Sequence, residues 1–289
     1  MQPFQYLYPI KEFDFHRPLS VKEALQMLDE LDEPKVMAGG TDLTIALKYG
    51  LVNPKNIIDL SALNELKYIV ENKDEIRIGS LTTFDEINTS ELIKKKIPSL
   101  WAASHNVGTW QIRTLATIGG NLANASPAAD SAPPLIVHDA SVVIRSINNE
   151  RIVPITAFFT GPKKTVLKPN ELITEIRIPK SNAKSWWMRI GRRQANTISV
   201  VSVAVSAEIA NRKFVSCKIA LGSVAPTPIL ALKASEFLKG KEITEENITA
   251  ASDLASKESS PITDIRGSAQ YRRVAVKVLT QRILKKLVE

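Results

Sequence analysis

Apolar positions recur at helical spacing early in the chain. Ala24, Leu25, Leu28 and Leu31 fall on one face, and Ser20 stands where an N-cap would accept the first free amide. The stretch KVMAGG predicts a short buried strand that ends in a strand-to-helix turn at Gly39-Gly40. A helix over DLTIALKYG follows, with Thr41 as its cap and Gly50 as its stop. IIDLSAL reads as a further strand, so the opening region folds as a small βαβ unit.

Beyond Leu63 the periods change several times. EIRIGSLTTFDEI predicts a strand then a helix, SLWAASHNVG a helix, and ASVVIRSINNERIVPI a hairpin turning at Asn148-Asn149. ELITEIRIP alternates as an outgoing strand, and Pro179 to Lys184 reads as a linker. Between them TLATIGGNLANASPAAD, Thr114 to Asp130, follows neither period. The last third opens with TISVVSVAVSAEI and FVSCKIALGSV, alternating strands joined at Asn211-Arg212. Val201, Val203, Val205 and Ile209 face one side, Ser202, Ser206 and Glu208 the other. Helices follow over ILALKASEFLKG, after the cap Thr244, and at the C-terminus, with Val274, Val278, Leu279, Ile283 and Leu287 as an apolar stripe.

The expected fold is α+β in three pieces. Residues 1–62 form the βαβ unit, 63–179 a mixed α/β unit, and 180–289 an antiparallel sheet with helices. A length of 289 residues accommodates several packed domains, and 44% hydrophobic with 24% charged residues is an ordinary globular composition. The net charge of +8 is spread among 30 acidic residues, and Lys94-Lys95-Lys96 reads as the end of a solvated helix. Without aromatic-basic interleaving this excludes a nucleic-acid binder and suits an acidic partner chain or an anionic cofactor. Cys217 is the single cysteine, and His16, His105 and His138 have no metal-ligand spacing, so redox chemistry here requires an organic cofactor. No apolar run reaches the ~20 residues of a membrane span. The opening MQPFQYLYPIKEFDF lacks a basic then apolar leader, which predicts a cytoplasmic protein.

Gly39-Gly40 and Gly119-Gly120 each follow a short apolar segment, where a strand would end. Glycine lets a bulky group approach main-chain amides that a Cβ would shield, and amides at a helix start attract anions. Either pair alone reads as a plain turn. Together they favour two loops closing on one diphosphate, with Thr41, Thr117 and Asn121 as uncharged donors. Neither pair fits G-x-G-x-x-G, so a Rossmann site is not supported.

VMAGGTDL, VGTWQIRTLATIGGNLANASPAAD and RIGRRQANTISVVSVAV together resemble the FAD-binding medium subunit of the molybdenum hydroxylases. That family includes xanthine and carbon monoxide dehydrogenases and archaeal aldehyde and glyceraldehyde oxidoreductases, and the resemblance spans essentially the whole chain. It implies that Val36, Met37, Ala38, Gly39, Gly40, Thr41, Asp42 and Leu43, with Thr117, Ile118, Gly119, Gly120 and Asn121, cradle the FAD diphosphate. It further places Asp130 at a hydroxyl of the ribityl or ribose chain, the alternative being a cap on the Ser126-Pro127 turn. Val107 and Ile173 match apolar contacts, and Arg189 stands where relatives commonly have lysine near the flavin ring. Trp187 falls near a position that can carry an aromatic ring against the flavin, with interdomain packing as the alternative. Arg192 and Arg193 read as surface residues.

The resemblance also implies a division of labour. A large subunit oxidises substrate, here an aldehyde such as glyceraldehyde, at molybdopterin. A small subunit with two [2Fe-2S] clusters relays electrons, and this chain discharges them through FAD to an external acceptor. A dimer of heterotrimers is the implied assembly. A stand-alone flavin oxidoreductase and a scaffold that has lost FAD are the competing readings.

Overall fold

The computed structural model describes residues 10–289; the nine residues that open the leader reading lie outside them. Ser20 Oγ accepts the Glu23 N–H at 3.2 Å and starts α1 (Val21–Glu30), whose Ala24, Leu25 and Leu28 are buried. It links β1 (Asp14–His16) to β2 (Pro34–Met37), and α2 (Leu43–Lys48) leads on to β3 (Asn56–Asp59). The sheet order is β1-β3-β2, all parallel, which requires the helical crossovers. β1 was not expected: three residues are too few for a period to register. Thr41 does not cap α2, whose N-cap is Asp42 without a side-chain bond.

The middle region pairs antiparallel throughout, in the order β4-β5-β10-β6-β7. These are β4 (Ile69–Glu71), β5 (Glu75–Gly79), β6 (Ser141–Arg145), β7 (Glu150–Pro154) and, between β5 and β6 in the sheet, β10 (Leu172–Pro179). β6 and β7 form the hairpin expected around Asn148-Asn149. Central β10 is buried on both faces over Leu172 to Ile176, which its alternating sequence did not announce. Helices α3 (Phe84–Thr89), α4 (Glu91–Lys96), α5 (Pro98–His105), α6 (Trp110–Arg113), α7 (Ile118–Ala123) and α8 (Ala132–Val137) are inserted between β5 and β6. A short α9 (Ile155–Phe158) and a ribbon of β8 (Phe159–Gly161) and β9 (Lys164–Thr165) precede β10. The segment that followed neither period is therefore partly helical. Thr117 caps α7 by accepting the Gly120 N–H at 3.0 Å, and tertiary hydrogen bonds offset the poor helix propensity of its two glycines.

The last sheet, β11 (Lys184–Gly191), β12 (Ser199–Ala210), β13 (Lys213–Gly222) and β14 (Ile229–Leu230), is antiparallel in that order. Asn211 and Arg212 both take positive φ, 50° and 58°, as the tight turn between β12 and β13 demands. Val201, Val203, Val205, Ile219 and Leu221 share a core with α10 (Leu232–Leu238), α11 (Glu245–Glu258) and α12 (Ala269–Val288). The opposite face is buried as well, because Ala204 and Ala220 pack into the core of the middle region and α8 lies on β12 and β13. Only small residues permit that approach: a Cβ on Gly222 would lie 2.4 Å from Ser202 Oγ and 3.0 Å from Pro133 Cγ. The α12 stripe is also rotated from expectation. Val274 is exposed and Val278 half-buried, while Ala275, Val276, Leu279, Ile283, Leu284 and Leu287 are buried, since α12 packs on both α11 and β12.

Candidate functional site

The two glycine pairs meet. An ideal Cβ on Gly39 would stand 1.8 Å from Leu115 O and 2.4 Å from Leu115 C, so the turn after β2 lies directly on the main chain that leads into α7. From the other side the Gly120 Cβ position is 3.7 Å from Ala38 Cβ. Gly40 takes φ +69°, a conformation a side chain would strain.

The pairs are not equivalent. Gly119-Gly120 lie in the first turn of α7 rather than at a strand end, and the amides there are occupied. Ile118 N–H donates to Thr82 O, Gly119 N–H to Ser80 O, Gly120 N–H to Thr117 Oγ1, and Asn121 N–H to Thr117 O. The missing Gly119 side chain makes room for the protein itself, its Cβ position being 2.6 Å from Ser80 O. By contrast, the N–H groups of Gly39, Gly40, Thr41, Asp42 and Leu43 find no acceptor among the described residues. Five consecutive donors without a partner among the described residues, in a turn held open by close packing, have the donor chemistry of an anion cradle of the nest type. The Thr41 hydroxyl likewise has no partner among the described residues.

Val36 and Met37 end β2 against β3, Val36 and Ala38 lie on the N-terminal core, and Asp42 is exposed. Asn121 Oδ1 accepts from Ser131 Oγ at 2.7 Å, which leaves its Nδ2 to donate. Val107 is half-buried at the end of α5, beside Gly108, whose carbonyl accepts the Asn196 N–H at 3.2 Å. Ile173 is buried next to Thr174, whose carbonyl holds the Ser80 N–H, so it reaches the α7 side through Ser80. Trp187 is 3% exposed within the middle core: in this structure its ring packs between regions. Arg192 and Arg193 are exposed. A cleft of about 370 Å³ between α5, β11 and α12 contains Trp101 and Trp186 and, of the predicted residues, Trp187 and Arg189, but none of the glycine-loop residues. The cleft therefore carries no weight in placing the cradle.

Asp130 and Arg189 pair with each other across the seam. Arg189 Nη1 lies 3.2 Å from Asp130 Oδ2 and donates to Thr197 O at 3.0 Å, while Ser199 Oγ donates to Asp130 Oδ1 at 2.7 Å. The Ser126-Pro127 turn is not capped by Asp130; Ser126 Oγ accepts the Ala128 N–H there. Ser199 and Leu115 had no signal in the sequence, since one opens an ordinary strand and the other contributes only its carbonyl. Both pair side chains are under 10% exposed, and burial pushes the Asp130 carboxyl up to about 6, against the opposing pull of Ser199 and Arg189. A value above the unfolded 3.8 means that the folded chain holds this proton more tightly. The stabilisation is full below that unfolded value and is lost as pH rises through about 6. Asp130→Asn is expected to flatten the urea-unfolding free energy between about pH 4 and 6.5; a profile matching the parent would refute the assignment.

Residues 11–181 match the family described as FAD binding domain in molybdopterin dehydrogenase, and residues 186–287 the CO dehydrogenase flavoprotein C-terminal domain. The chain is 32% identical to the glyceraldehyde dehydrogenase medium chain of Sulfolobus acidocaldarius, over 97% of this chain and 100% of that one. It is 31% identical to the xanthine dehydrogenase FAD-binding subunit of Escherichia coli O157:H7, over 96% and 97%. Among solved structures, carbon monoxide dehydrogenase from Hydrogenophaga pseudoflava superposes with a TM-score of 0.93 at 30% identity, covering 97% and 99%.

Proposed function

The chain belongs to the FAD-binding medium subunits of the molybdenum hydroxylases, and from that premise we propose that the Gly39–Leu43 amides hold the FAD diphosphate. The observation that carries this reading is the run of five main-chain donors without an acceptor among the described residues. Thr41 and the Asn121 side-chain amide, whose nitrogen has no acceptor among the described residues, add neutral donors, and Gly119-Gly120 act by letting α7 and Ala38 close on the loop rather than by donating. Val107 and Ile173 exclude water from the ring. Arg189 places positive charge beside it, and Asp130 both holds Arg189 and offers lone pairs to cofactor hydroxyls. Bound FAD supplies the ability to take electrons singly and release them in pairs. The polypeptide binds, orients and shields it.

The enzyme served by this subunit oxidises an aldehyde such as glyceraldehyde at a large molybdopterin-binding subunit. A small subunit with two [2Fe-2S] clusters delivers the electrons, in a cytoplasmic dimer of heterotrimers. The full-length similarity to a glyceraldehyde dehydrogenase medium chain supports the substrate class. Among the described residues no helix is long and apolar enough to cross a membrane. In this reading residues 1–62 and 63–179 hold the cofactor and 180–289 close over it. The purified chain is expected to carry or take up one FAD, measured by absorbance and by release on denaturation. A folded chain that takes up none at micromolar FAD would overturn the proposal and favour a scaffold without cofactor.

A further inference from the structure

A second pocket, of about 270 Å³, lies away from the cradle at the junction of the middle region and the last sheet. Ile76, Ile97 and Pro179 form its apolar wall, and Lys96, Lys180, Ser181, Asn182 and His138 supply its polar groups. The hydrogen bonds around His138 assign its tautomer. Ser185 Oγ accepts the Ser99 N–H at 3.3 Å and lies 3.0 Å from His138 Nε2. The Ser185 proton has no other acceptor among the described residues, so it is donated to Nε2, and the ring proton sits on Nδ1. Burial holds the ring neutral, pushing its value down to about 4, with Asp139 opposing and Lys218 assisting. Nδ1–H is then a donor, on a side chain 6% exposed that lines the pocket, with no acceptor among the described residues.

From this donor and the charges above it, we infer that the pocket binds an oxyanion of the phosphate class, with His138 at its base and Lys96 and Lys180 at its rim. The rim charge is positive on balance. Lys180 bridges Glu71 at 2.7 Å, and Lys95 and Lys96 also act on that carboxylate, so three ammonium groups face one anion there. The Lys180 N–H is taken by Asp74 O, which leaves its side chain as the contribution to the pocket. Ser181 and Asn182 belong to the only connection between β10 and β11, so an ion here would tether that linker to the end of α4. The inference is independent of the FAD assignment.

The test titrates inorganic phosphate into the full chain at constant ionic strength, by calorimetry and by the ¹⁵N resonances of the His138 ring. A saturable site read by the His138 Nδ1–H signal is expected, any second calorimetric site at the Gly39–Leu43 amides being one that leaves that signal unmoved. The Lys96→Gln/Lys180→Gln pair should weaken binding about tenfold or more, since charge-assisted hydrogen bonds are lost. Lys48→Gln, at the exposed end of α2, should change it less than about twofold. Non-saturating uptake, equal weakening by Lys48→Gln, or a His138 ring indifferent to phosphate would each overturn the site in favour of diffuse attraction to a basic surface. Both lysine positions are exposed, so these variants keep the fold.

Discussion

Gly39→Ala is expected to yield a chain that binds FAD at least about a hundredfold more weakly than the parent and unfolds about 1–3 kcal/mol more easily. The new methyl would lie 1.8 Å from Leu115 O and 2.4 Å from Leu115 C, and main chain cannot rotate aside as a side chain would. Either the turn after β2 or the segment entering α7 must move by an ångström or more. The amides from Gly39 to Leu43 move with the turn, so the geometry proposed for the diphosphate is lost along with the packing. Gly120→Ala is the matched control, because its methyl meets Thr117 Oγ1 at 3.0 Å and Ala38 Cβ only at 3.7 Å. Its effect should be clearly smaller. Fluorescence quenching of FAD and urea unfolding measure the two effects separately, and Gly39→Ala binding within about threefold of the parent would show that the two loops need not touch.

Arg189→Glu is expected to destabilise the fold by about 3–5 kcal/mol, since it leaves the buried Asp130 carboxylate facing another acid. The parent pair is 7% and 8% exposed, so solvent screens neither partner effectively. Arg189→Lys keeps the charge and should cost far less, although it gives up the second contact to Thr197 O. The comparison also separates two roles. A loss of FAD in the glutamate variant alone would follow from misfolding, whereas a shifted flavin potential in the stably folded lysine variant would report Arg189 acting near the ring. Equal unfolding free energies for parent and Arg189→Glu would sink the buried-pair account.

Much of the architecture was legible in local pattern. Helical spacing around Leu25, the β6–β7 hairpin, the turn at Asn211-Arg212 and the Thr244 cap depend on residues a few positions apart, where backbone preference and burial agree. The glycine pairs were legible as a place where two segments approach something closely. Their division of labour was not. Whether a glycine admits a ligand or a neighbouring chain depends on what lies opposite its missing side chain. For Gly119 that is Ser80, 39 residues earlier; for Gly39 it is Leu115, 76 residues later.

By itself, then, the sequence determined the family, the local elements and the positions able to contribute donors, because these reside in residue type and short spacing. Only the tertiary structure decided that α7 forms despite two glycines, and that its first amides are already taken while those of Gly39 to Leu43 find no acceptor among the described residues. It also decided that the serine-bearing face of β12 is buried under α8, and that Asp130 is committed to Arg189 and Ser199. Each of these outcomes is a competition for hydrogen bonds or space between segments distant in the chain. No local period encodes such a competition, since its result depends on which partner the completed packing brings within about 3 Å.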